Sequence, residues 1–184
     1  MLAFIDTSVV VLTYNHSISG RVRLFDQRLS DLLNDHREMV IRVLDAAVTR
    51  MVHPSKVVDH QKVAVVDKAH VLLVFESAEH KVASTTRPFA FTSKKRHEVF
   101  MLVHSIEVSG IVHTAGTMDV LDLHRLVTVT GEHFLPVTDA TVALPIFDFQ
   151  KKAGVLVNAQ HIHYVAKMTA PENTPAPADI ARGD

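Results

Sequence analysis

Apolar residues along this chain fall into short runs of two different spacings. In "RVRLF", Arg21 and Arg23 alternate with Val22 and Leu24, which is the period of a strand with one face in water. In "DQRLSDLLND", Leu29, Leu32 and Leu33 recur at helical spacing, with Asp26 placed to cap the start and Asn34 near the stop, so a short helix is predicted there. The remaining runs are dense in Val, Ile, Leu, Thr and Phe and are cut by polar residues or Gly, as strands are. "VVDKAHVLLV" and "AGVLVNAQHIHYV" each read as strand, tight turn and strand, turning at Asp67 and Lys68 in one case and at Asn158 and Ala159 in the other. Asn and Asp suit such turns because their side chains bond nearby backbone.

The pattern is written twice. Placing Val66 on Val157 brings His70 onto His161, Val74 onto Val165 and Asp67 onto Asn158. Upstream, "MVIRVLDAAV" lies over "HFLPVTDATV", aligning Asp45 with Asp139, and "ISGRV" lies over "VSGIV", aligning Gly20 with Gly110. Three blocks in one order imply a tandem duplication, with units of about Val9 to Glu76 and Val99 to Lys167. Each unit reads as strand, short helix, long hairpin and closing strand pair; "TMDVLDLHRLV" supplies the second helix through Met118, Leu121 and His124. The domain expectation is therefore 1–76 as the first β unit, 77–98 as a basic linker, 99–168 as the second β unit and 169–184 as a disordered Pro- and Ala-rich tail.

A unit of this size buries only about 60% of the surface its unfolded chain exposes, so two must lean on each other or on other chains. "VLLVF" (Val71 to Phe75) and "FMLVHSI" (Phe100 to Ile106) are more apolar than one side of a solvated sheet requires. The expected fold is mainly β with one short helix per unit, as two tandem, pseudo-twofold-related small β-barrels or β-rolls that also oligomerise.

The repeated pattern resembles a short bacterial domain of unknown function, one copy of which reads G-x-V, RLSDxLN, F-I-x-L-T-D-A-x-V and V-x-V-N-x-x-H-I-x-x-V. The first unit carries Gly20 and Val22, "RLSDLLN", "VIRVLDAAV" and "VAVVDKAHVLLV"; the second carries Gly110 and Val112, "FLPVTDATV" and "VLVNAQHIHYV", but departs at the helix. The resemblance covers most of both units, neither the linker nor the tail, and implies a fold more than an activity. The order of elements is also similar to Sm-like or SH3-like small barrels, by analogy alone.

Composition narrows the function classes. Lys and Arg number 19 against 20 for Asp and Glu, a net charge of -1, so no global field attracts polyanions. There is no Cys, which excludes disulfides, thiolate nucleophiles and Cys-ligated zinc. The first residues lack a basic n-region and a small-residue cleavage site, and no stretch approaches the roughly 18 to 20 apolar residues of a membrane helix. The expectation is a cytoplasmic protein.

Thirteen histidines are the one oddity. His161 and His163, two apart in a predicted strand, would share a face as a zinc or nickel pair, with His104, His113 or His133 as a third ligand; alternatively they are partly exposed strand residues, and His161, like His70, steadies the turn before the last strand. Asp45 and Asp139 are candidates for a general base or for accepting turn amides. Gly20 and Gly110 lie in segments too short for phosphate loops and are read as permitting a bulge or close approach in the first strand. Lys94, Lys95 and Arg96, with Phe89 and Phe91 near, are candidates for nucleic-acid contact or a solvated loop. No nucleophile elbow occurs, so no catalytic residue and no cofactor is expected. The leading expectation is a non-catalytic structural or adaptor protein that self-assembles or docks a protein partner. The alternative is a regulatory module binding nucleic acid through the basic linker or a metal through the His163 face; an enzyme using His161, His163 and Asp139 ranks third.

Overall fold

The computed structural model describes residues 4–77, 94–115, 119–122, 127, 131–144 and 147–168. In the first half, strand β1 (Ile5–Leu12) turns into β2 (His16–Leu24), helix α1 (Leu29–Asn34) follows, and β3 (Val40–Arg50) and β4 (His53–Asp67) form a long hairpin. A 3-10 turn (Lys68–His70) leads into β5 (Leu73–Glu76). The second half runs β6 (Lys94–Val103), β7 (Ile106–Ala115), β8 (Phe134–Leu144), β9 (Phe147–Asn158), a second 3-10 turn (Ala159–His161) and β10 (Ile162–Lys167). All pairings are antiparallel, and the described strands form one ten-stranded sheet in the order β10-β6-β7-β8-β9-β5-β1-β2-β3-β4.

The two halves pair their strands in the same order. β5-β1-β2-β3-β4 in one corresponds to β10-β6-β7-β8-β9 in the other. Registers correspond too: Val11 faces Val74 as Met101 faces Val165, and Ile41 faces Val66 as Leu135 faces Val157.

Neither half closes into a barrel, which corrects the barrel expectation, and the reason lies at one junction. Closing the first half would require β4 to reach β5. The outer edge of β5 is instead taken by β9, with Leu73 opposite Val157 and Val74 opposite Leu156. This seam joins the last strand of one half to the fourth strand of the other, so it is head to tail, whereas a twofold would bring like strands together.

The seam also accounts for the excess apolarity of "VLLVF". Val71 to Val74 are at most 1% exposed, because β5 is sandwiched between β1 and β9 in the sheet and packs on both faces. Leu72, Leu73 and Phe75 join the core of the second half, together with Leu12 and Met51. Val71 and Val74 join the core of the first, which in turn takes Phe134 from the second. Each half completes the other's core.

Three further expectations change. Gly20 and Gly110 lie in the second strand of each half, not the first, because β1 and β6 precede them. The stretch 77–98 is not all linker, since β6 opens at Lys94; residues 78–93, and the tail from 169, fall outside the described residues, as does most of the second predicted helix. Asp26 does not cap α1. It adopts a left-handed φ of 50°, the N-cap position falls to Arg28, and the Asp31 carboxylate accepts from the Arg28 N–H at 3.0 Å, which is one half of a capping box.

Candidate functional site: the seam and the open edges

Asp45 and Asp139 hold the same strained position in their strands. Each has a left-handed φ, 47° and 49°, which Asp tolerates better than most residues. At both points the ladder to the preceding strand slips: Ser19 faces Ala47 but Arg21 faces Leu44, and Ser109 faces Thr141 but Ile111 faces Thr138. One residue therefore opposes two, a β-bulge, and the single residue is Gly20 in one half and Gly110 in the other. A Cβ on Gly20 would lie 2.6 Å from the Leu44 carbonyl oxygen, and one on Gly110 would lie 2.8 Å from that of Thr138. Both aspartates are exposed, and Asp45 pairs with Arg21. The Asp-Ala step and the glycine opposite form one structural device.

The 3-10 turns are a second device. Asp67 accepts from the Ala69 N–H at 2.9 Å, and Asn158 accepts from the Gln160 N–H at 3.1 Å. Asn158 does more, because it is 2% exposed and stands at the seam. Its amide nitrogen donates to the Val71 carbonyl at 2.9 Å and to that of Lys68 at 3.3 Å, and its backbone N–H donates to the Leu72 carbonyl at 3.0 Å. Asn34, the last residue of "RLSDLLN", bridges the seam from the other side. Its amide donates to the Phe134 carbonyl at 3.0 Å and accepts from the Phe134 N–H at 2.8 Å, pairing as a strand backbone would. The Lys68 ammonium, 8% exposed, donates to the Leu32 and Asp35 carbonyls at the end of α1, where a cation suits the helix dipole. Burial lowers its pKa, while Asp35 and Glu38 oppose that shift.

His161 serves the same region. His161 ends the 3-10 turn and the strand begins at Ile162, so the alternation that would put His161 and His163 on one face does not apply. The two ring nitrogens of His161 lie 2.8 Å from the Ala69 carbonyl and 3.1 Å from the Tyr14 hydroxyl. His163 is exposed on β10. His104 stacks edge-on against Tyr14 at 4.9 Å, His133 stacks against His36 at 5.0 Å, and His113 bonds Thr138 at 3.1 Å. Among the described residues no group of three or more His, Asp or Glu is placed to hold a metal ion. His70 lies 3.4 Å from the Asp67 carboxylate, and both are exposed.

Lys94, Lys95 and Arg96 are exposed at the start of β6. Strand alternation sends Lys94 and Arg96 to one face and Lys95 to the other, which divides the cationic cluster. On the Lys95 face lies His97, 6% exposed, bonded to Thr114 at 2.9 Å.

Among the described residues the sheet ends in two unpaired edges, β4 and β10. Pro54, Lys56 and Lys62 blunt the first part of β4, as edge strands often require. Its last part is "VAVVD", with Val63 and Val65 54% and 62% exposed. On β10, Tyr164 is 50% exposed. Asn34, Asn158 and Lys68 were not singled out as bridges by sequence reasoning; the signal available was the Asn that ends "RLSDLLN".

No protein-family model, curated protein or solved structure matches the chain. Among the described residues no helix is long and apolar enough to cross a membrane.

Proposed function

We propose that this protein is a non-catalytic assembly module, a duplicated small β unit whose open sheet edges dock further protein, either more of itself or a partner. The observation that carries this reading is the end of β4, where Val63 and Val65 stand exposed on a strand with no neighbour on its outer side among the described residues. Unpaired backbone N–H and C=O groups beside exposed apolar side chains are a template for strand addition. The repeated residues support the same reading, because Gly20 with Asp45 and Gly110 with Asp139 shape bulges and His161 braces the seam, which are tasks of architecture.

Size-exclusion chromatography with light scattering, run over a range of concentrations, tests the proposal. A mass above that of the 20.4 kDa chain, or a protein that co-purifies in fixed ratio and is released by charge placed at Val63 and Val65, is expected. A strict monomer that retains no partner would overturn it.

A further inference from the structure

The seam inside the chain joins an edge of the β5 type to an edge of the β9 type. The two edges left open among the described residues are the other members of those same types, β10 corresponding to β5 and β4 to β9. We infer that a second copy of this chain adds head to tail, β10 of one copy pairing antiparallel with β4 of the next in the register of the internal seam. This deepens the assembly reading above and rests on it.

The register follows residue by residue. Leu73 faces Val157 and Val74 faces Leu156 at the seam. Carried outward through the corresponding ladders, Tyr164 faces Val66 of the next copy and Val165 faces its Val65. Val65 and Tyr164 are exposed on the two edges, as Val57, Val58 and Val63 also are on β4, whereas of their counterparts at the seam Leu156 is partly buried and Leu73 fully buried. His70 of the next copy takes the place of His161, next to the turn before β10.

One side chain differs. Asn158 gives two amide bonds to carbonyls across the seam; Asp67 occupies that place on β4, and a carboxylate accepts only. It would face the Ala159 and Ile162 carbonyls without a proton to give. The outer junction is therefore weaker than the seam, which keeps association dependent on concentration. Because the joined edges are unlike, each added copy leaves one edge of each type, so growth continues until a ring closes or a filament forms.

The chain has no cysteine, so disulfide trapping reads the register directly. Residues directly opposed in an antiparallel pair have Cβ atoms about 5 Å apart, within the reach of a disulfide after small adjustment. Full-length Val65→Cys and Val165→Cys proteins, each checked for an unchanged melt, are oxidised alone and as an equimolar mixture. The mixture is expected to give a disulfide-linked dimer in roughly tenfold excess over either protein alone. Cross-linking of Val65→Cys with itself would show like edges joining and overturn the inference. An assembled mass by light scattering with no cross-link in the mixture would overturn it too while leaving the assembly reading standing; a monomer bound to a different protein overturns it alone, and a strict monomer that retains no partner removes both. Asp67→Asn supplies the missing donor and is expected to lower the concentration for half-assembly about tenfold, the scale of one added hydrogen bond. An unchanged or weakened association in that variant counts against the register.

Discussion

The inner seam and the outer edges are built from corresponding strands, yet one is shut and the other open. At the seam Leu73, Val74 and Val157 are at most 1% exposed. At the edges, Tyr164 and Val65 are half exposed or more. A strand's own sequence therefore does not decide its exposure: "VAVVD" on β4 and "VLVN" on β9 differ little, and what differs is whether a facing edge is tethered in the same chain. Tethering raises the local concentration of one partner, and the shared cores on both sides then hold it.

The sharpest way to break this comparison is to place a charge on each side of it. Val74→Asp buries an unpaired carboxylate between β1 and β9 and is expected to cost more than about 4 kcal/mol, enough to unfold a domain of ordinary stability. Val165→Asp, at the corresponding place on open β10, is expected to lose less than half of that. Chemical denaturation of both proteins measures the gap, and equal losses would mean that the seam carries no special share of stability.

Next in size is the exchange of the two capping residues. Asn158→Asp sets a buried carboxylate against the Lys68 and Val71 carbonyls and removes both amide donors, for an expected loss of about 2–3 kcal/mol. Asp67→Asn changes an exposed residue and is expected to shift the stability of the unassociated chain by less than about 0.5 kcal/mol. Thermal melts at low concentration compare the two directly.

The bulges come after these. Gly20→Ala and Gly110→Ala each force a Cβ against a backbone carbonyl oxygen, at 2.6 Å and 2.8 Å, and the strands must part to admit it. About 1–3 kcal/mol is expected at each site, similar in the two halves because both glycines face the same left-handed aspartate. A large effect at one glycine alone would show that the two bulges are not equivalent supports.

Much of this arrangement was legible in the sequence, for reasons that differ between elements. The tight turns, the long hairpins and α1 were readable because their apolar spacing and turn residues are local, although the cap of α1 fell to Arg28 and not to Asp26. The registers were not read from the sequence, but the blocks that recur in order occupy corresponding ladder positions in the two halves. β1 and β6 were not recognised as separate partners of β2 and β7, since their turns, at Asn15 and at His104, lack a Gly or Pro to mark them; His104 adopts a left-handed φ of 55° without being Gly. The seam was invisible for another reason. "VLLVF" announces burial but not its partner, and only β9 arriving at β5 shows that the apolar excess is spent inside the chain. The strand alternation read for His161 and His163 was one residue out of phase, because the 3-10 turn extends through His161.

The smallest expected effect concerns His97, which has no histidine counterpart across the comparison: strand correspondence places Thr7 at its position in the first half. Burial beside Thr114 lowers the pKa of His97 below its ordinary value of 6.5, and Lys167 and Lys95 add to that while Asp119 opposes it. The unfolded chain then binds more protons than the folded one at mildly acid pH. Stability is complete above pH 6.5 and falls as pH drops from 6.5 toward the lowered folded value. His97→Gln keeps a hydrogen-bonding side chain toward Thr114 but cannot titrate, so its melting temperature is expected to change less between pH 7 and pH 5 than that of the parent protein. Asp119→Asn, which removes the opposing charge, is expected to steepen the parent's loss slightly. If the His97→Gln protein shows the full acid sensitivity of the parent, the source lies at another titrating group, and His97 is not an acid-labile point that sets the two halves apart.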